Sequence, residues 1–90
     1  MRAGVTIIVA GLVQGVGFRY YVQRQAVNLN LGGFVKNLYN GDVEIYAEGD
    51  RSLLEELIKD VKVGPRAAHV VDLRIQWKDP SHNHTNFQIL

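Results

Sequence analysis

This sequence contains short apolar runs that are typical of strands, and between them segments whose apolar residues recur at helical spacing. Residues 5–13 are rich in β-branched side chains and apolar on both sides, which predicts a central strand. A glycine-rich turn at residues 14–17 ends this run. Beyond the turn, apolar side chains recur at helical spacing and predict a helix over residues 18–30: Phe18, Val22, Ala26 and Leu29.

The remainder of the chain predicts a hairpin, a second helix and a last strand. Residues 34–38 read as a strand, an Asn-Gly pair then signals a tight turn, and alternating apolar residues form the returning strand. The second helix has one apolar face, made by Leu54, Leu57, Ile58 and Val61. Either Asp50 or Ser52 is suited to cap its start. Residues 70–77 alternate as a fourth strand, and residues 87–90 can add a short closing strand.

This order of elements predicts an α+β fold, the ferredoxin-like βαββαβ sandwich. In this fold two helices cover one face of an antiparallel sheet, and the ninety residues, 1–90, are expected to form a single domain. The first and second strands run in the same direction with the third strand between them. They therefore end at the same edge of the sheet, which brings the turn at residues 14–17 close to Asn37 at the end of the second strand.

The composition excludes several classes of site and partner. The chain has no cysteine, which excludes a disulfide framework, a thiolate zinc site and a cysteine nucleophile. Ten Lys and Arg against nine Asp and Glu give a net charge of +1, which provides no strong attraction to nucleic acid or to acidic membranes. No apolar run approaches the about 18 residues of a membrane span, and no signal-peptide pattern is convincing. A cytoplasmic protein is therefore expected.

The turn at residues 14–17 has the properties of an anion site. Glycines let the backbone approach a ligand closely, and the first N–H groups of a helix point towards an anion with the helix dipole behind them. Arg19 follows in the first helical turn, where a guanidinium can hold phosphate with two parallel hydrogen bonds. The alternative is a plain strand-to-helix turn with Arg19 as a solvated charge. The Gly-x-Gly spacing alone favours that alternative, because it is a weak signal.

Asn37 ends an otherwise apolar strand just before the predicted hairpin turn. A side-chain amide can donate to and accept from a water molecule while it stays neutral. The alternative is a hydrogen bond from Asn37 to the backbone of the turn. For the isolated residue this alternative is the stronger one, but the shared sheet edge favours a role beside the glycine-rich turn.

Two stretches resemble the signatures of the acylphosphatase family. Residues 11–19 read GLVQGVGFR and are similar to the family's first signature, which forms its phosphate loop. Residues 33–49 read GFVKN, three residues, G-x-V, five residues, G, and match each element of the second signature. Phe87-x-Ile89 also looks like the family's C-terminal strand. The resemblance covers nearly the whole chain.

The resemblance implies hydrolysis of acyl phosphates to a carboxylate and inorganic phosphate, with no metal and no cofactor. It places Arg19 at the family's phosphate-binding arginine and Asn37 at the position that orients the attacking water. The backbone N–H groups of the loop would hold the phosphoryl group: Gln14, Gly15, Val16, Gly17 and Phe18. Domains of this kind are usually monomers, and a monomer is expected. Leu12 stands where the family often has arginine, and Tyr39 either contacts the acyl group or is a surface turn residue.

Such chemistry is physically reasonable without a histidine, a carboxylate pair or a metal. The leaving group is a carboxylate, whose conjugate acid has a pKa of about 4 to 5 by analogy with Asp and Glu, so it departs without a general acid. Phosphoryl transfer mainly needs positioning and charge stabilisation. Arg19 and the loop amides can supply the charge stabilisation, and Asn37 can place the water in line.

Two other functions stay open on the residues alone. A non-catalytic phosphate-binding or nucleic-acid-binding module can have the same fold. RNA binding by this fold needs aromatic side chains on the central strands, and the first strand carries Thr6 and Ile8 instead. The chain could also be one domain of a larger maturation enzyme.

Two further pairs of residues are assigned structural roles. His82-x-His84 lies in a polar segment with few carboxylates, so a solvated loop is expected there rather than a metal site. Of Tyr20 and Tyr21 at the start of the first helix, one is expected to pack inward and the other to lie at the surface.

Overall fold

The structure, a computed structural model, describes residues 1–90. Its elements follow the predicted order, with the closing segment as a fifth strand: β1 Arg2–Leu12, α1 Phe18–Asn28, β2 Gly32–Asn37, β3 Val43–Asp50, α2 Arg51–Val63, β4 His69–Lys78 and β5 Phe87–Ile89. Neither helix is long and apolar enough to span a membrane. The predicted ferredoxin-like arrangement is confirmed.

The first helix is shorter than its periodicity predicts. It ends at Asn28, because Asn30 adopts a left-handed φ of 57° that turns the chain away from the helix axis. The N–H group of Leu31 then donates to the carbonyl of Ala26 at 2.9 Å, which closes the end of α1. Leu29, predicted on the helical face, lies at the C-cap and is only partly buried.

The sheet has the strand order β4-β1-β3-β2-β5. β1 pairs antiparallel with both β3 and β4, and β2 pairs antiparallel with β3. β1 and β2 therefore run in the same direction with β3 between them, as predicted. The short strand β5 pairs parallel with β2, so the sheet is mixed at this edge, while its four longer strands are antiparallel.

The core lies between the sheet and the two helices. Every second residue of β1 is fully buried on the helix side: Val5, Ile7 and Val9. Thr6 and Ile8 lie on the opposite, open face and are only half-buried. The helices contribute a matching apolar face: Phe18, Val22 and Ala26 from α1, and Leu54, Leu57, Ile58 and Val61 from α2. The predicted apolar faces thus form one core.

Asp50, rather than Ser52, caps the second helix. The Asp50 carboxylate accepts a hydrogen bond from the Ser52 N–H group at 2.9 Å, while the Asp50 backbone is extended. The hydrogen bonds that the hydroxyl and the N–H group of Ser52 donate, together with the N-terminal ammonium group, hold the pKa of Asp50 below its usual value. The helix ends at Val63, and Gly64, which follows at the C-cap, has a φ of 68° that suits glycine.

The segment between β4 and β5, called the β4–β5 loop below, is anchored to the sheet by Glu48. The Glu48 side chain is almost completely buried. Its carboxylate accepts hydrogen bonds from the N–H groups of Ser81 at 2.7 Å and His84 at 3.1 Å. Burial alone would raise the pKa of Glu48, but the hydrogen bonds from Tyr46 and the loop outweigh burial and hold the pKa below its usual value.

The loop around the two histidines is largely exposed, as predicted, but His84 is only partly exposed and lies against the open face of the sheet. The His84 ring packs against the rings of Tyr46 and Phe34, with centroid distances of 5.3 and 6.1 Å. The His82 N–H group donates to Glu48 at 3.3 Å. The physical reason is the buried Glu48 carboxylate, which draws the N–H groups of this polar segment onto the open face of the sheet.

Candidate active site

The turn between β1 and α1 depends on two glycines. Gly15 and Gly17 have φ values of 74° and 77°, in the left-handed region that favours glycine. A Cβ atom at either position would meet no atom within 4 Å, so glycine is required by the backbone conformation and not by crowding. The open space around both residues leaves room for a ligand to approach the backbone.

The backbone N–H groups of this turn have no partner within the protein. No hydrogen bond is donated by the N–H groups of the five residues from Gln14 to Phe18. No acidic side chain occupies the first turn of α1, and Gly17 at its N-cap provides no side-chain cap. Consecutive unpaired donors at a helix start form a site for an anion.

Apolar side chains fix this turn to the core from both sides. Val13 before the turn and Phe18 after it are each only 1% exposed. Val16, within the turn, is partly buried and packs against the same core. The turn is therefore held in place although its glycines and N–H groups face outward.

A cavity of about 110 Å³ joins the turn to the end of β2. Its lining consists of Val13, Gly15, Gly17, Phe18, Arg19, Tyr20 and Asn37. The structure thus brings Arg19, Asn37 and both turn glycines together, as the shared-edge argument predicts. Gln14 and Val16 do not line the cavity, although their backbone N–H groups belong to the same turn.

The Arg19 side chain is held by the end of the chain. Its Nη1 atom donates to the carbonyl oxygen of Leu90 at 2.8 Å. No Asp or Glu side chain lies within 4.0 Å of the Arg19 guanidinium. Sequence reasoning missed Leu90, because a contact between residues 71 positions apart leaves no local pattern.

The Asn37 side chain is exposed and makes no hydrogen bond within the protein. The alternative role expected for it, a bond to the turn backbone, is performed by Asn40. Asn40 Oδ1 accepts from the Asp42 N–H group at 3.0 Å, and Asn40 Nδ2 donates to the Asp42 carboxylate at 3.2 Å. The amide of Asn37 is therefore available to a water molecule or a ligand.

Two tyrosines open α1 and lie as predicted. Tyr21 is partly buried, and its hydroxyl donates to the carbonyl of Asp60 at 2.8 Å. Tyr20 is 72% exposed and lines the cavity. Tyr39 is fully exposed and does not line the cavity, while Leu12 is more than half exposed.

The largest depression on the surface, of about 440 Å³, lies away from this cavity beside Arg2, Arg51 and Trp77. The Arg51 guanidinium lies 4.0 Å from the centroid of the Trp77 ring, and its Nε atom lies 3.5 Å from the Glu55 carboxylate. This cation is already paired, and no glycine lines the depression. The smaller cavity is therefore the better candidate.

The lining of the small cavity limits its chemistry. It holds one guanidinium, one neutral amide and a turn with unpaired N–H groups, and no Asp, Glu or His lines it. Such a site can bind a phosphoryl group and orient a water molecule. It offers no Asp, Glu or His to act as a general acid or base, which suits a reaction whose leaving group departs unaided.

Comparison with known proteins identifies close relatives. A family model described as Acylphosphatase matches residues 5–89. The acylphosphatase of Moorella thermoacetica is 44% identical over 82 residues, which cover 91% of this chain and 87% of that protein. The crystal structure of acylphosphatase from Bacillus subtilis superimposes with a TM-score of 0.95 at 41% identity and covers 100% of this chain and 99% of that chain. HypF from T. kodakarensis matches at 35% identity with a TM-score of 0.84, but the match covers only 12% of the HypF chain.

Proposed function

This chain belongs to the acylphosphatase family and hydrolyses the carboxyl–phosphate bond of acyl phosphates, and we propose that it does so in the small cavity beside Arg19 and Asn37. The resemblance read from its two signatures is confirmed by the family model and by the curated relatives. The observation that carries the location of the site is the meeting of unpaired N–H groups, a guanidinium with no Asp or Glu partner and an unpaired amide in one cavity.

In this proposal the phosphoryl group is bound by the turn and by Arg19. The N–H groups from Gln14 to Phe18 donate to its oxygens, supported by the start of α1. Arg19 uses one of its five N–H donors on Leu90, which leaves the others for the phosphoryl oxygens. These donors are fixed before the substrate arrives, so they stabilise charge as it shifts across the phosphoryl group in the transition state.

The water molecule is held by Asn37. Its oxygen forms a bond to phosphorus while the bond from phosphorus to the acyl oxygen breaks, and the acyl group leaves as a carboxylate. One water proton passes to a phosphoryl oxygen of the substrate, so no protein base is needed. We propose that the reaction uses no metal and no cofactor, since the cavity offers no carboxylate or imidazole ligands.

The alternative of a non-catalytic binding module is not favoured by the acylphosphatase relatives. The open face of the sheet does carry two aromatic residues, Phe34 and Tyr46, but their rings pack against His84. On the same face Lys36 Nζ lies 3.5 Å from the Glu44 carboxylate. We therefore propose that neither nucleic acid nor a membrane is a partner of this protein.

Residues 1–90 act as a single domain in this proposal, because one core of 18 buried residues joins both helices to the sheet. A monomeric state and a cytoplasmic location complete the proposal. Size-exclusion chromatography with light scattering tests the first, and cell fractionation tests the second.

The proposed site is tested by combining turnover with a map of phosphate binding. Wild-type protein is assayed with benzoyl phosphate in buffer containing EDTA, and the expected result is turnover that EDTA does not reduce. Inorganic phosphate is then titrated into 15N-labelled protein, and the amide signals of residues 14–18 are expected to shift most. Turnover that EDTA abolishes would contradict the metal-free mechanism, and shifts confined to another surface would contradict the location.

A further inference from the structure

The side chain of Gln14 connects the turn after β1 to the turn between β2 and β3. Its Nε2 atom donates both hydrogens, one to the carbonyl of Leu38 and one to the carbonyl of Asp42, each at 2.8 Å. Gln14 lies 24 positions from Leu38 and 28 from Asp42 in the sequence, and its side chain is partly buried. The two bonds are therefore tertiary contacts that join the turn after β1 to the turn after β2, and they do not belong to a local turn.

The two carbonyls that Gln14 contacts are also the ones that close the second turn. The N–H group of Leu38 donates to the Asp42 carbonyl at 2.8 Å, and the N–H group of Gly41 donates to the Leu38 carbonyl at 3.2 Å. A carbonyl oxygen has two lone pairs, so each of these oxygens accepts one bond from within the turn and one from Gln14. A side-chain amide, with two hydrogens on one nitrogen, suits this pair of acceptors.

Asn37 lies next to this turn and depends on it for its position. It is the last residue of β2, paired across the sheet with Val43. Its own amide makes no hydrogen bond within the protein, so only the backbone and packing determine where it lies. That backbone is held by the sheet before Asn37 and by the Gln14-bound turn after it.

We propose that Gln14 is a positioning residue, which fixes the Asn37 amide relative to the phosphate-binding turn through its two bonds to the Leu38 and Asp42 carbonyls. This role rests on the proposed function of the cavity and assigns the side chain of Gln14 a task separate from that of its backbone N–H group. Loss of the bonds lets the second turn shift, and a misplacement of about 1 Å can reduce a rate about 10²-fold. Phosphate binding by Arg19 and the turn does not require the second turn to stay in place.

The first variant is Gln14→Met, which keeps the length of the side chain and removes both donors. With benzoyl phosphate we expect kcat to fall at least about tenfold, and the inhibition constant of inorganic phosphate to stay within about threefold of wild type. The matched control is Tyr21→Phe, which removes one 2.8 Å side-chain-to-backbone bond outside the cavity. Its kcat is expected to equal that of the wild type.

A double-mutant comparison tests whether Gln14 acts through Asn37. In the Asn37→Ala background the amide to be positioned is gone, so Gln14→Met is expected to cause little further loss of kcat. If the two losses multiply, Gln14 acts independently of Asn37 and the proposal is wrong. Equal losses of kcat and of phosphate affinity in Gln14→Met would also contradict it, because they would place the damage in the phosphate-binding turn.

The second variant, Gln14→Glu, keeps the size of the side chain and guards against a folding defect in Gln14→Met. An ionised carboxylate cannot donate to the two carbonyls, whereas a protonated one has one O–H donor. The ratio of the kcat of Gln14→Glu to that of wild type, at saturating substrate, is therefore expected to rise as the pH falls through the pKa of the new carboxyl. A ratio independent of pH, or a folded Gln14→Met with wild-type kcat, overturns the proposal. A wild-type protein without turnover would instead reject the proposed function.

Discussion

Arg19 occupies a position that a helix does not favour for a cation. A positive charge in the first turn opposes the helix dipole, at a cost of up to about 1 kcal/mol. The structure shows what holds it there, since Nη1 donates to the main-chain oxygen of Leu90 while no Asp or Glu side chain lies within ion-pair distance. A bound phosphoryl group between Arg19 and the turn would remove the unfavourable interaction.

The geometry of the guanidinium leads to a prediction for Arg19→Lys. One N–H donor is bound by Leu90, and two parallel donors are needed for the phosphoryl oxygens. An ammonium group is a point charge and cannot provide this arrangement. We expect Arg19→Lys to lose most of the benzoyl phosphate activity, at least about 10²-fold in kcat/KM. Steady-state kinetics on the folded variant check this, and an activity within threefold of wild type would show that charge alone is enough.

Asn37 and Asn40 are close in the sequence, but their side chains have different hydrogen-bond partners. Asn40 satisfies the turn backbone through its contacts with Asp42, and this leaves Asn37 without an internal partner. From the sequence alone, either asparagine could have bonded the turn, because both stand near its start and Asn favours such bonds. Only the fold decides between them.

At the scale of elements, the site depends on the far end of the chain. β5 pairs with β2 at the edge of the sheet and places Leu90 beside Arg19. The β4–β5 loop that precedes it is held by the buried carboxylate of Glu48. The order of this loop therefore contributes to the order of the strand that supports Arg19.

We predict that Glu48→Gln destabilises the protein. The carboxylate accepts from Tyr46 and from several loop donors, and an amide would place N–H hydrogens against some of them. An unsatisfied buried donor costs about 1–3 kcal/mol, so the free energy of unfolding in urea should fall by that amount. The matched control is Glu44→Gln on the same face of β3, where the carboxylate is partly exposed beside Lys36 and the loss should stay below about 1 kcal/mol. Equal losses in the two variants would show that Glu48 does not anchor the loop.

At the scale of the whole molecule, topology joins segments that the sequence keeps apart. The strand and helix periods predicted the order of the elements, and the shared sheet edge then brought Arg19 and Asn37 to one cavity. The turn glycines could also be predicted, because their need for positive φ is a local property.

Three contacts could not be predicted from the sequence. Strand alternation places Glu48 on the open face, where a solvated carboxylate is the usual outcome, and nothing local shows that the β4–β5 loop covers it. The bonds from Gln14 to the second turn and from Arg19 to Leu90 join a side chain to a distant backbone carbonyl. Every residue has a carbonyl, so such bonds leave no mark in the pattern of residue types.

The titration of Glu48 predicts how stability depends on pH. The pKa of Glu48 is lowered in the folded protein. As the pH falls below about 5, this carboxyl group is therefore protonated in the unfolded chain, where its pKa is about 4.3, before it is protonated in the folded protein. The stability contributed by the carboxylate is therefore present above the unfolded pKa and is lost as the pH falls through the folded pKa. Urea unfolding between about pH 6 and pH 3 should show a steeper loss for wild type than for Glu48→Gln. Parallel curves would contradict a lowered pKa.

The most direct measurement is a side-by-side comparison of wild type, Arg19→Ala and Asn37→Ala in benzoyl phosphate hydrolysis and in inhibition by phosphate. We predict that Arg19→Ala loses at least about 10³-fold in activity and also loses phosphate affinity. Asn37→Ala should lose about 10²-fold or more in kcat while its phosphate inhibition constant stays unchanged, because it removes only the positioning of water. Lys36→Ala, next to Asn37 but on the open face, should match wild type. Near-wild-type turnover in a folded Arg19→Ala or Asn37→Ala protein would contradict the assignment of that residue and move the active site away from this cavity.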